Sequence, residues 1–276
     1  MSSILKIELR RAFINKIFLI ALALGLCFAI AHLLVVVIPY GVGDAWAAWR
    51  TGTKGSYPFS VYNTWLGATG YSIFTTLYYF ILPLIVCLPY ADSLYMDITS
   101  GYAANVISRI GKTRYFAAKA IAVFLSAGIV AILPLVINFL TAALFVPLLM
   151  PDPLAGTFPV SPRSMFADLF YTAPIAYLCI FGMLTFVVAG IVACLCLVFS
   201  YLLANRFIVL IAPFLLCVIS YFVLTGSGLA GYSPINLLIP AQFHHVQFDW
   251  VVAVYGTIAA LSTAFIAWRA ASYEAL

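Results

Sequence analysis

The sequence predicts an all-α integral membrane protein with six transmembrane helices. Two features of composition and one of pattern lead there. Apolar residues fill 66% of the 276 positions and charged residues only 8%, against roughly 45–50% and about 25% in soluble domains. A water-soluble fold of this size needs far more Lys, Arg, Asp and Glu to coat its surface. The pattern is six apolar runs, at about 17–38, 71–90, 120–146, 173–203, 207–224 and 251–268. Each is near or above the roughly 20 helical residues that cross a hydrocarbon layer of about 30 Å. No stretch reads as a separate soluble domain, so residues 1–276 are expected to form one membrane domain.

Residues 1–16 come first. Leu5, Leu9, Ala12 and Phe13 share one helical face, and Lys6, Arg10 and Arg11 lie away from it. That pattern suits a short helix along the headgroup layer, and equally a basic flank to the first span. Ala29-Ile30-Ala31 resembles a signal cleavage site, but the apolar run continues through Leu33 to Ile38. An uncleaved anchor is expected. His32 is the one group in the six runs that titrates near neutral pH, and a hydrogen-bonded interfacial histidine is expected there. Trp46, Trp49, Tyr57, Tyr62 and Trp65 follow as an aromatic girdle.

The third and fourth runs exceed the span length, so they should tilt, kink near Pro134 or Pro174, or project beyond the lipid. Ala21, Gly25 and Ala29 on the first run, and Gly182, Gly190 and Ala193 on the fourth, allow close approach of neighbouring helices within the chain. After Gly226 no charge occurs until Asp249, and part of 226–248 is expected to re-enter the membrane without crossing it.

Orientation follows from the cations. With the N-terminus in the cytoplasm, Lys6, Arg10, Arg11, Lys16, Arg109, Lys112, Arg114, Lys119, Arg206 and Arg269 lie inside, and only Arg50, Lys54 and Arg163 of the 13 lie outside. This is the positive-inside asymmetry, and it puts both termini of a multi-pass cell-membrane protein in the cytoplasm. The net charge of +5 is thereby a topology signal, with no nucleic-acid partner implied. The eight acids divide evenly, with Glu8, Asp92, Asp97 and Glu274 inside.

The connector 91–119 is the most informative stretch. Ser100 is placed to cap a helix beginning near Gly101, Ile107 and Ile110 share a face with Ala103, and Gly111 supplies a stop before Lys112 and Arg114. An acid at the inner end of the second span, then Gly101, a short helix, an Arg-containing turn, and Tyr115 with Lys119 leading into the third span resembles the cytoplasmic loop of type 2 ATP-binding-cassette (ABC) exporter permeases. The basic N-terminal helix and six-span layout are similar too, as is Ser233-Pro234 followed by Ile235, Leu237 and Leu238 in the last outer loop.

That resemblance implies a permease subunit exporting a hydrophobic or amphipathic substrate by alternating access. It implies a separate ATPase subunit, which would carry the ATP and Mg, and a second permease subunit, either this chain or a paralogue. Asp97, Gly101, Tyr102, Ile107, Arg109, Lys112, Arg114, Tyr115 and Lys119 would then couple to the ATPase. Thr75, Thr76, Tyr78 and Tyr79 in the second span, and Ser220, Tyr221 and Thr225 in the fifth, would face cargo. The bland alternatives are a solvated basic connector and hydroxyls satisfied by neighbouring helices.

Other chemistries have weaker support. Gly111-Lys112-Thr113 lacks the earlier glycine and preceding strand of a phosphate loop, so this chain is expected to hold no cofactor of its own. All eight acids fall outside the expected spans, unlike those of many ion-driven carriers. Cys27, Cys87, Cys179, Cys194, Cys196 and Cys217 all lie in apolar runs, where they read as buried thiols. His244, His245 and Asp249 offer a weak case for a metal-dependent membrane hydrolase, without an H-E-x-x-H or G-x-S-x-G motif to support it. A membrane scaffold or sensor is the third alternative, and no catalytic or metal site is assigned.

Overall fold

The computed structural model describes residues 2–43, 60–68, 72–153, 160–161, 164–241 and 246–272. Among them every regular element is a helix. The order is α1 (Ser2–Phe13), α2 (Lys16–His32, widening into π-helical turns over Leu33–Gly43), α3 (Val61–Thr64), α4 (Ile73–Ile85), α5 (Ser93–Thr99), α6 (Tyr102–Ile110), α7 (Lys112–Ala142), α8 (Ala167–Thr172), α9 (Pro174–Leu202), α10 (Arg206–Gly226), a 3₁₀ turn (Ala230–Tyr232), α11 (Pro234–Leu237) and α12 (Phe248–Ser272).

Five of these helices are long and apolar enough to cross a membrane: Lys16–Pro39, Lys112–Ala142, Pro174–Leu202, Arg206–Gly226 and Phe248–Arg269. The chain is a multi-pass helical membrane protein on that count. Its surface is distributed to match. Leu19, Ile20, Ile219, Phe222, Val252 and Leu261 are each more than half exposed, while Asn138, Thr185 and Lys119 are buried. Lipid in place of water makes that inversion favourable.

The expected span 71–90 is where the helix is shorter than the sequence pattern suggested. Helix α4 covers 13 residues and passes into turns over 86–92 before α5 begins. Pro89 explains the stop: it has no N–H to donate, and its ring collides with the carbonyl four residues earlier, which is Ile85. The third span differs in the other direction. Helix α7 starts at Lys112, so Tyr115 and Lys119 belong to the spanning helix itself. In 226–248, Ser233 caps the single turn of α11 by accepting from Asn236 N–H at 3.2 Å, and Ile235, Leu237 and Leu238 are buried.

Helix α7 is the centre of the bundle, packed by α9, α2, α1 and α12. Small residues set the spacing. A Cβ at Gly25 would meet Pro134 Cγ at 2.6 Å, so α2 crosses α7 at the proline. The α7–α9 contact is reciprocal: Phe186 of α9 fills the space over Gly128, and Phe124 of α7 fills the space over Gly190. Their rings meet edge to face at 5.7 Å. Asn138 closes the far end of α7, its amide donating to Ala29 C=O at 2.8 Å and its oxygen accepting from Leu66 N–H at 2.8 Å. The π-helical widening of α2 begins just beyond that extra bond to Ala29.

Gly190→Ala would place a methyl 2.4 Å from the Phe124 ring, an overpacking that costs about 1–3 kcal/mol. Its thermal midpoint in detergent should fall, and Gly190→Ala with Phe124→Leu should recover part of the loss. An unchanged midpoint for the single variant would refute the interlock.

Candidate functional site

The chemistry collects at one end of the bundle, where α1, the turns after α4, α5 and the first turns of α7 meet. Helix α1 buries Ile4, Glu8 and Ala12, a stripe at i, i+4, i+8 spacing that faces α7. Lys6 and Arg10 are exposed, whereas Arg11, which the sequence pattern grouped with them, turns toward the bundle and pairs with Glu8 and Asp97. The acid in the middle of the stripe is fully buried. Opposite it, Tyr115 and Lys119 lie one turn apart on α7 and are also fully buried.

Six side chains complete one network. Lys119 Nζ donates to Asp97 Oδ2 at 2.6 Å and to Tyr90 Oη at 3.2 Å, and forms an ion pair with Glu8 Oε2 at 2.6 Å. Tyr90 in turn donates to Glu8 Oε2 at 2.6 Å. Arg11 grips Asp97 with both terminal nitrogens, at 2.7 and 3.2 Å, and reaches Glu8 Oε1 at 3.1 Å. Tyr115 donates to Asp97 Oδ2 at 2.7 Å. Aromatic faces cover the cations: Tyr102 lies 4.7 Å from the Arg11 guanidinium, and Tyr90 lies 4.8 Å from the Lys119 ammonium.

Two carboxylates and two cations sum to zero charge, and each carboxylate oxygen has a donor. Burial by itself would raise the Asp97 carboxyl, but hydrogen bonds from Arg11, Lys119 and Tyr115 together with the Lys119 charge outweigh it and hold Asp97 below its ordinary 3.8. For Arg11, burial works against the charge, and Asp97 outweighs it with a hydrogen bond, pushing the guanidinium further up. The arrangement is a satisfied ionic joint.

Two further ties fix the same segment. Asn15 caps α2 by accepting from Ile17 and Phe18 N–H, and its amide donates to Pro89 C=O at 2.9 Å. Beyond it, Arg206 Nε donates to Asp92 Oδ2, and Tyr95 Oη donates to Ala204 C=O at 2.7 Å. Residues 89–97 are therefore bonded to α1, to α7 and to the α9–α10 junction.

Helix α6 hangs from this joint between two glycines in left-handed or related positive-φ conformations, Gly101 at φ 73° and Gly111 at φ 85°. Ser100 does not cap it. Ser100 ends α5, and Gly101 stands at the N-cap with no side-chain bond. Ala103 and Ile107 face in, Ile110 is half-buried, and Ser108, Arg109 and Arg114 are exposed. Lys112 is half-buried at the start of α7. Of the residues expected to serve a coupling surface, Asp97, Tyr115 and Lys119 turn inward, Tyr102 stacks on Arg11, and Arg109 and Arg114 remain outside.

The expected cargo-facing residues divide similarly. Thr75 donates to Leu66 C=O at 2.7 Å and Tyr78 to Ala131 C=O at 2.6 Å, both buried. Thr76 is exposed and donates to Ser72 C=O at 3.2 Å. Tyr79 is buried. On α10, Ser220 bonds Cys217 C=O, Tyr221 stacks edge-on to Phe222, and Thr225 is exposed. His32 is buried with its ring edge toward Phe74. His244 and His245, like Trp46, Trp49 and Tyr57, lie outside the described residues, and Asp249 is exposed at the start of α12. Among the described residues no three His, Cys, Asp or Glu side chains gather into a metal-binding group. All six cysteines are free thiols, but only Cys87, Cys196 and Cys217 are buried as expected; Cys194 is half-buried, and Cys27 and Cys179 are exposed on membrane-length helices.

Glu8 and Tyr90 escaped the sequence-based choice of site residues. A signal for Glu8 was present: it sits midway between Ile4 and Ala12, an acid in an apolar stripe. Centring the helical face on Leu5 and Leu9 turned it outward on paper. No family model, curated protein or solved structure matches the chain.

Lys119→Met leaves two buried carboxylates sharing Arg11 alone, and breaking a buried pair from one side costs about 3–5 kcal/mol. The thermal midpoint in detergent should drop accordingly, and the double variant Glu8→Gln with Lys119→Met should regain part of it. A double variant no more stable than the single would argue against a shared joint. Acid should act on the same network. Because the folded Asp97 carboxyl is held below 3.8, its contribution is complete above that value and is lost as pH falls below it, through the lower folded value. Melting from neutral pH down to about pH 3 should show this acid limb in the wild type and a shallower one in Asp97→Asn; identical limbs would exclude Asp97 as its source.

Proposed function

We propose that this chain is the membrane-spanning permease subunit of an ATP-driven exporter, similar to type 2 ABC exporter permeases, working with a separate ATPase subunit and a second permease subunit. The observation that carries the reading is α6 and what stands behind it. An amphipathic helix of nine residues lies between α4 and α7, flanked by two positive-φ glycines, with exposed Arg109 in its last turn and exposed Arg114 in the first turn of α7. Behind it, Tyr102 contacts Arg11, and Arg11 is bonded to the joint that includes Lys119 of α7.

A load applied to α6 is thereby passed by charge-assisted bonds, rather than by a flexible loop, to α1 and to the central helix of the bundle. Rocking α7 would carry α9 and α2 with it through the interlocked glycine contacts. In this reading the second crossing is α4 completed by the turns 86–92, giving six crossings with both termini in the cytoplasm. ATP and Mg belong to the partner ATPase, and the cargo is hydrophobic or amphipathic.

Replacing residues 101–112 with a flexible glycine-serine linker should abolish copurification of the ATPase while the spans remain folded. The narrower variant Arg109→Glu with Arg114→Glu should weaken that association without moving the thermal midpoint, since both side chains are exposed. Unchanged copurification in both would defeat the proposal.

A further inference from the structure

The geometry points to a lateral binding site for the acyl chain of a membrane lipid, set between α7 and α9 at the end of α7 remote from Lys119. A cavity of about 570 Å³ opens there, within the size range of pockets that hold small ligands. Its wall comes from the C-terminal half of α7, the N-terminal half of α9, and Trp65, Tyr79 and Pro240, with no charged residue among them. Val136, Leu140, Ile175 and Met183 line it and are exposed, at 41%, 59%, 62% and 64%. All four belong to helices long and apolar enough to span, so hydrocarbon is what meets this opening. Deeper in, Tyr79 and Phe181 are essentially inaccessible.

Three physical considerations select the occupant. An apolar cavity of this kind does not hold water. A charged headgroup drawn into it would be left without a counter-charge. A hydrocarbon chain sliding in from the bilayer meets neither cost and gains dispersion contacts along both helices. Tyr79 adds one polar feature, a buried hydroxyl with no hydrogen-bond partner on the inner wall. Gly182 gives the site its width, since a Cβ there would already stand 3.2 Å from the flexible end of Ile132. The site shares Tyr79 with the residues that the exporter reading turns toward cargo, but it rests on the cavity alone, while α6 and its ionic joint lie at the opposite end of α7.

The test uses the full chain in lipid nanodiscs containing a phospholipid with a photoactivatable diazirine midway along one acyl chain, with adducts located by mass spectrometry. Adducts are expected on Ile132, Phe139 and Leu178, which line the cavity and are half-buried. Gly182→Leu, which fills the cavity, and Met183→Trp, which narrows its mouth, should each cut them about tenfold, the equivalent of about two buried methylenes. Adducts on the exposed Ile219 and Phe222 of α10 serve as the internal reference and should not change. The proposal is overturned if Ile132, Phe139 and Leu178 stay unlabelled while Ile219 and Phe222 react. It is equally overturned if both filled variants fold and keep the wild-type labelling.

Discussion

A lysine with no exposed surface sets the terms for this molecule. In a protein with so few charges, burying Lys119 at the mouth of the central helix requires compensating charge from elsewhere in the chain. Glu8 and Asp97 supply it from segments far apart in sequence, and Arg11 restores neutrality between them. Satisfying one ammonium therefore fixes where α1 lies, how the chain leaves α4, and how α5 approaches α7. The joint is a matter of geometry as much as energy, because an ion pair of this kind is stable only when each donor and acceptor is met.

The rest of α7 is organised by shape. Its partners are held by glycines that receive a ring or a proline from across the interface, at Gly25, Gly128 and Gly190. In lipid there is little hydrophobic gain from bringing helices together, so close packing and a few buried hydrogen bonds must supply the specificity. Asn138 at one end and Lys119 at the other show the same economy: each is a polar group deep in an apolar helix with all its bonding directed at a neighbouring segment. Beyond these two α7–α9 glycine contacts, toward the Asn138 end of α7, lies the side cavity.

In the proposed exporter reading, the consequence for function is mechanical. Helix α6 has its buried face against the bundle and its basic end exposed, while the segment preceding it is bonded to three different parts of the fold. A helix mounted so can transmit displacement in a way that a solvated connector cannot. Asp97, Tyr115 and Lys119 are buried in this joint, while Arg109 and Arg114 are exposed beside it.

Much of this was legible before any coordinates. Hydrophobic run length locates the long helices because the hydrocarbon thickness and the helical rise are fixed quantities, and Gly111 marks the end of α6 because that backbone conformation disfavours a side chain. The small residues of the first and fourth runs announce close contacts for a similarly local reason. What the amino-acid string could not reveal is which face of α1 turns inward, since Leu5 and Ile4 are one residue apart and periodicity alone permits either. Nor could it show that Pro89 would end α4 at Ile85, or that Glu8, Tyr90, Asp97 and Lys119 would converge. Run lengths and glycine stops depend on neighbours within a few residues, and so they were determined by sequence alone; the partners of a buried charge are chosen by packing between distant helices, and only the tertiary structure decided them.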